Sequence, residues 1–198
     1  MPTSTRKTYL YIDGTSLFAG QYELFGPKHY LSFSFLLKEI KRLFPIDYTY
    51  FYASYMNKRN LRASKAKNLI AAEALFYREV KATPKVIFYK GHRSPTSGKE
   101  KGVDVHLAVD IVNDAIQKKC DHVVLMTGDA DLIYPLEIIH IPTYAVFLPN
   151  RFSLEIAYKV KKAFVLNFID MFKIRRKLPK HLQIVTIKKP RMINIRGR

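Results

Sequence analysis

The chain has 198 residues, 48% of them hydrophobic, enough to bury one sizeable core with a short appendage. Its one cysteine, Cys120, excludes an internal disulfide and a thiolate zinc site and points to the cytosol. A formal net charge of +18 points to a polyanionic partner, because neutralised phosphates release counterions and drive association.

In chain order, Tyr9, Leu10, Tyr11 and Ile12 form an apolar run closed by Asp13-Gly14, the pattern of a buried strand ending in a turn. After Gly26-Pro27, the residues Phe33, Leu36, Leu37, Ile40, Leu43 and Phe44 recur at helical spacing, and Pro45 stops that helix. Residues 48–52 are predicted as a second strand, 61–80 as a long helix and 85–89 as a third strand. A polar loop over 91–102, expected to be mobile, leads into the helical pattern of Leu107, Ala108, Ile111, Val112, Ala115 and Ile116. The β-branched run 122–126 predicts a fully buried strand, closed by Thr127-Gly128-Asp129-Ala130-Asp131. A helix to about 139, a strand at 144–148, a helix at 153–163 and an apolar piece at 164–168 follow.

Strands alternating with helices predict an α/β fold, with a parallel sheet and helices on both faces. The domain is expected over residues 1–172, followed by a basic C-terminal extension over 173–198 that contains ten lysines and arginines and no acid. Within it, 181–187 is an apolar alternation that suits an added strand or a pairing surface. No apolar run approaches the ~20 residues needed to cross a bilayer, and residues 1–7 lack the apolar stretch of a signal peptide. A cytoplasmic protein without a membrane partner is therefore expected.

Aspartates stand where a parallel sheet places its site. Asp13 ends the first predicted strand, and Asp129 and Asp131 follow the strand that starts at His122; loops at the carboxyl ends of parallel strands form the ligand crevice. Asp104 begins a helix entering from the same edge, in helical phase with Ala108, Ile111 and Ala115, so it is expected at the top of the core-facing stripe. Crowded carboxylates raise their pKa values or acquire a cation, and an all-oxygen donor set selects Mg²⁺ or Mn²⁺. Such an ion activates water for phosphodiester hydrolysis.

The stretches Tyr11-Ile12-Asp13-Gly14, then Lys101-Gly102-Val103-Asp104-Val105 with Leu107-Ala108-Val109-Asp110, then Thr127-Gly128-Asp129-Ala130-Asp131-Leu132 with Pro135-Leu136, resemble the signature motifs of NYN domains, especially the LabA-like group of PIN-like nucleases. The resemblance runs over about residues 8–168. It implies a PIN-like three-layer sandwich and a Mg²⁺-dependent ribonuclease, with Asp13, Asp104, Asp129 and Asp131 as catalytic metal ligands and Ser16, Asp110 and Thr127 in support. Ser16 is a departure, because the family usually has Asn there and a hydroxyl reaches less far than an amide. A binding module that keeps the shell without turnover is the competing reading. Asp13-Gly14-Thr15 also matches the opening motif of haloacid-dehalogenase phosphatases, but their nucleophile would fall at Tyr11, and a phenol cannot form an acyl phosphate.

Carboxylates repel a nucleic acid, so cations must hold its backbone. The expected contacts are Lys58, Arg59, Arg62 and Lys65 after the second strand, Arg93, Lys99 and Lys101 before Asp104, and Arg175, Arg176 and Lys177 in the extension. Tyr52 or Tyr55 is a candidate for stacking on a base. RNA is the expected partner; a homodimer and a protein inhibitor are left open.

Overall fold

The computed structural model describes residues 6–56, 63–93, 100–168, 172–173, 177–188 and 190–194. Its centre is a seven-stranded sheet built from β1 (Thr8–Asp13), β3 (Tyr48–Ala53), β4 (Val86–Lys90), β7 (His122–Met126), β8 (Thr143–Phe147), β9 (Lys162–Phe168) and β10 (Leu182–Ile187). The spatial order is β10-β9-β8-β7-β1-β3-β4, and all six pairings are parallel. Such a sheet must be covered on both faces, which is why its inner strands are apolar throughout rather than alternating.

Side-chain alternation along β1 divides the core in two. Leu10 and Ile12 face α1 (Gly14–Phe25), α2 (Phe33–Leu43) and α3 (Ala63–Ala82), among Phe18, Ile40 and Phe76. Tyr9 and Tyr11 face α4 (Val103–Ile116), α5 (Ile133–Ile138) and α6 (Leu154–Lys159), among Leu107, Leu136 and Ile156. The result is the expected three-layer α/β sandwich.

Several expectations are corrected. The segment after Asp13 is helical as α1, although Gly14 and Gly20 interrupt its pattern. A short strand β2 (His29–Leu31) follows, and antiparallel β11 (Met192–Asn194) pairs with it. The helix expected over 153–163 is only α6, because Lys162 and Ala163 are already paired in β9 against Tyr144 and Ala145. The loop 91–102 contains a two-residue antiparallel pairing of β5 (His92–Arg93) with β6 (Glu100–Lys101), and its residues 94–99 lie outside the described set. Beyond residue 172 the alternation at 181–187 forms an added strand, one of the two readings given for it, as β10, and β11 joins the small ribbon, so much of the basic segment is part of the fold.

The order of strands creates a reversal. From β1 the chain builds outward through β3 and β4, then returns to the other side of β1 with β7 and builds outward through β8, β9 and β10. The gap between β1 and β7 at their carboxyl ends is the topological switch point, where open α/β sheets bind ligands.

Candidate active site at the switch point

Asp13 is the last residue of β1 and the N-cap of α1, with 5% of its surface exposed. The N–H of Ser16 donates to its Oδ1 at 2.9 Å, and the Thr127 hydroxyl donates to its Oδ2 at 3.0 Å. Capping explains the first bond: a helix begins with unpaired N–H groups that an aspartate satisfies. Gly14 is required next, because a Cβ there would lie 2.0 Å from the Phe51 ring.

Thr127 joins the second acid to the first. Its Oγ1 accepts from the N–H of Asp129 at 3.1 Å while its hydroxyl serves Asp13. Asp129 then caps a single 3₁₀ turn over Ala130–Leu132, its Oδ1 accepting from the N–H of Asp131 at 3.0 Å.

Asp104 comes from the opposite helical layer, in the first turn of α4. That helix starts at Gly102, whose φ of +82° favours glycine. The core-facing row is Val103, Leu107, Ile111 and Ala115: Ile111 and Ala115 face the core as expected, but Val103 and Leu107 stand in the first turns in place of Asp104 and Ala108. Val103 sets this phase by filling the space beside Gly91, where a Cβ would meet its Cγ2 at 2.2 Å. The shift puts Asp104 on the exposed flank of the helix, facing the cleft. Its carboxyl pKa is raised by partial burial, then by the charges of Asp129 and Asp131.

Asp13, Thr15, Ser16, Ala19, Asp104, Asp129 and Arg151 line one open cleft of about 250 Å³. Asp131 is exposed beside it and acts on Asp104 through its charge. Among the described residues, no three His, Cys, Asp or Glu side chains stand close enough to hold one ion directly. The donors still suit Mg²⁺, which keeps several waters and takes one or two carboxylates, with substrate phosphate supplying further oxygens.

Asp110 is anchored away from the cleft, its Oδ2 accepting from the Tyr52 hydroxyl at 2.7 Å. Tyr52 is itself 1% exposed, so the stacking role considered for it is corrected: its ring is in the core. Tyr55 packs edge-on against Tyr77, and its hydroxyl accepts from Lys81 Nζ at 2.7 Å. Of the expected nucleic-acid contacts, Lys101 is exposed in β6 two residues before α4, and Lys177 is exposed with its carbonyl accepting from Tyr158. Lys58, Arg59, Arg62, Lys99, Arg175 and Arg176 lie outside the described residues, as do the side chains of Lys65 and Arg93.

Two residues escaped the sequence reading. Arg151 follows β8 in a tight turn and belongs to no charge cluster. Asp114 is 5% exposed on α4 and accepts from Tyr11, a partner 103 positions away that no local pattern reveals.

A family model described as NYN domain matches residues 7–171 of the chain. No curated protein matches it in sequence. Among solved structures, a protein of unknown function from Vibrio parahaemolyticus RIMD 2210633 is similar, with a TM-score of 0.61 over 87% of this chain and 99% of that one. At 13% identity this likeness concerns the fold alone.

Proposed function

The chain belongs to the NYN domain family, within the PIN-like nuclease superfamily, and from there we propose that it is a metal-dependent endoribonuclease of the cytoplasm. The observation that carries the proposal is the convergence of Asp13, Asp104 and Asp129, from three distant segments, on one cleft at the switch point of a parallel sheet. Capping accounts for Asp13 and Asp129 at this edge, where the helices of a parallel sheet begin, but α4 is capped by Gly102 and Asp104 meets them there without that role.

Asp13 and Asp129 are the proposed principal ligands for Mg²⁺ or Mn²⁺, because both are already oriented by donors from the chain. Bound there, such an ion would supply an attacking water of lowered pKa and offset charge on the phosphate oxygens. Thr127 orients both acids at once, and the Ser16 N–H fixes the second oxygen of Asp13. Asp104 faces them from α4 with its proton held more tightly than usual, so its carboxylate gains from a nearby cation. Asp131 adds negative charge at the rim.

The test is cleavage of an end-labelled RNA with Mg²⁺ or Mn²⁺ present. Cleavage is expected in either ion and is expected to stop with EDTA, while Asp13→Asn and Asp129→Asn keep binding RNA but lose at least ~100-fold in rate, the scale on which an electrostatic catalytic group acts. The second reading, a binding module without turnover, is favoured by the lack of a three-carboxylate cage among the described residues and by Ser16. It would be established if wild type and both variants retain RNA equally and none cuts it.

A further inference from the structure

Arg151 is the one cation among the described residues lining the cleft, and several features aim it there. Its N–H donates to the Leu148 carbonyl at 3.1 Å, closing a tight turn immediately after β8. Its stem runs between two glycines: a Cβ on Gly20 would lie 2.8 Å from its Cγ, and one on Gly128 would lie 2.8 Å from its carbonyl carbon. Neither position has room for a side chain without displacing this residue.

The head is fixed as well. Nη2 is hydrogen-bonded to Glu23 Oε1, and Nη1 donates to the Asn150 carbonyl at 3.2 Å. Asn150 Nδ2 donates to Glu23 Oε2 at 3.1 Å and to the Gly20 carbonyl at 3.0 Å, tying the group to α1. A surface lysine spends side-chain entropy whenever it meets an anion, whereas an arginine already held in place spends less. A guanidinium carries five N–H donors, so donors remain for a second anion while Glu23 and Asn150 keep the fork aimed.

We infer that Arg151 grips the phosphodiester of a nucleic acid in the cleft, positioned by Glu23 and Asn150. This rests on the nuclease reading. Asp13, Asp104 and Asp129 would repel a phosphate even where a cation offsets part of their charge, and Arg151 supplies attraction from the β8 side.

The test is equilibrium binding of a labelled trinucleotide RNA in EDTA, over a series of KCl concentrations, by wild type, Arg151→Gln, Arg151→Lys and Glu23→Gln. A short probe makes few phosphate contacts, so the loss of one is a resolvable part of the salt slope. Arg151→Gln is expected to weaken binding about 5–10-fold and to flatten the plot of log affinity against log salt by about 0.7, the share of one single-strand phosphate contact. Arg151→Lys should keep the slope but lose part of the affinity. Glu23→Gln loosens the aim of the guanidinium but also removes a repelling charge, so its slope should be no flatter than that of wild type; a slope flattened to that of Arg151→Gln would contradict the positioning role of Glu23. Melting curves check folding, and the lysine variant keeps the question open to refutation should the glutamine variant not fold. Wild-type affinity and slope in Arg151→Gln would overturn this inference while leaving RNA binding intact; wild type that fails to bind the probe yet cuts RNA with Mg²⁺ would overturn this inference alone, and wild type that neither binds nor cuts would overturn the nuclease reading with it.

Discussion

Thr127 shows how much one small side chain does at this site. Its oxygen is donor to Asp13 and acceptor from the Asp129 N–H, so two carboxylates from different segments are oriented through a single atom. Valine has nearly the same shape and can do neither. Thr127→Val is expected to cost about 1–3 kcal/mol, because a hydrogen bond to the Asp13 carboxylate and one from the Asp129 N–H are both lost. For a chain of this size that is a fall in Tm of roughly 2–4 °C per kcal/mol. RNA cleavage should fall further than stability alone explains, and Thr127→Ser should restore it; equal cleavage by the valine and serine variants would show that the hydroxyl does not orient the acids. The acids themselves were legible, since each follows a strand or opens a helix beside glycine. Arg151 and Asp114 were not, because their meaning depends on Glu23, Gly20 and Tyr11, all more than a hundred positions away.

At the scale of elements, α4 is attached to the sheet by phenols as well as by its apolar row. Tyr11 in β1 donates to Asp114 at 2.8 Å, and Tyr52 in β3 donates to Asp110 at 2.7 Å, one helical turn apart. Lys119 adds an ion pair to Asp114 at 3.0 Å. Asp104 is on the same helix, so these anchors set where it enters the cleft. Tyr52→Phe should cost about 1.5–3 kcal/mol, the scale for hydrogen bonds to charged groups, and should speed amide exchange in α4. Burial is the main reason both phenols hold their protons far above the ordinary value of 10.0, with Asp114 adding to the effect on Tyr11 and Asp110 to that on Tyr52. The native chain therefore keeps protons that the unfolded chain releases. The contribution of these two phenols to stability is intact below pH 10 and falls as pH rises past it, with the sign set by proton binding to the two states. Tyrosinate absorbance and circular dichroism followed together should show Tyr11 and Tyr52 ionising only as structure is lost. Their ionisation with a native spectrum would contradict this. The strands were legible because both faces of a parallel sheet are apolar. Helix α1 was not, because Gly14 and Gly20 satisfy close approaches to Phe51 and Arg151 that outweigh helical propensity.

On the scale of the whole molecule, charge and fold overlap in the C-terminal segment, and this decides how its contribution to RNA binding must be measured. A basic run without acids suggests a removable tail, but six residue pairs join β10 to β9, and Ile187 is 5% exposed in the core shared with α1, α2 and α3. Removing residues 173–198 would bare β9 as an unpaired edge and strip β2 of its partner β11. The truncated chain is expected to melt lower and to aggregate, so its loss of RNA affinity would say nothing about phosphate contacts. Neutralising charge without cutting the chain separates the two effects. Lys173, Lys177, Lys180 and Lys188 are all exposed, and changing them together to Gln should leave Tm nearly unchanged. If each meets a phosphate of single-stranded RNA, the salt slope should flatten by about 0.7 per lysine, roughly 3 in all. If the slope stays at its wild-type value while the fold is intact, the positive charge that holds RNA lies elsewhere, with Arg151 in the acidic cleft and the exposed Lys101 ahead of α4 the next residues to neutralise.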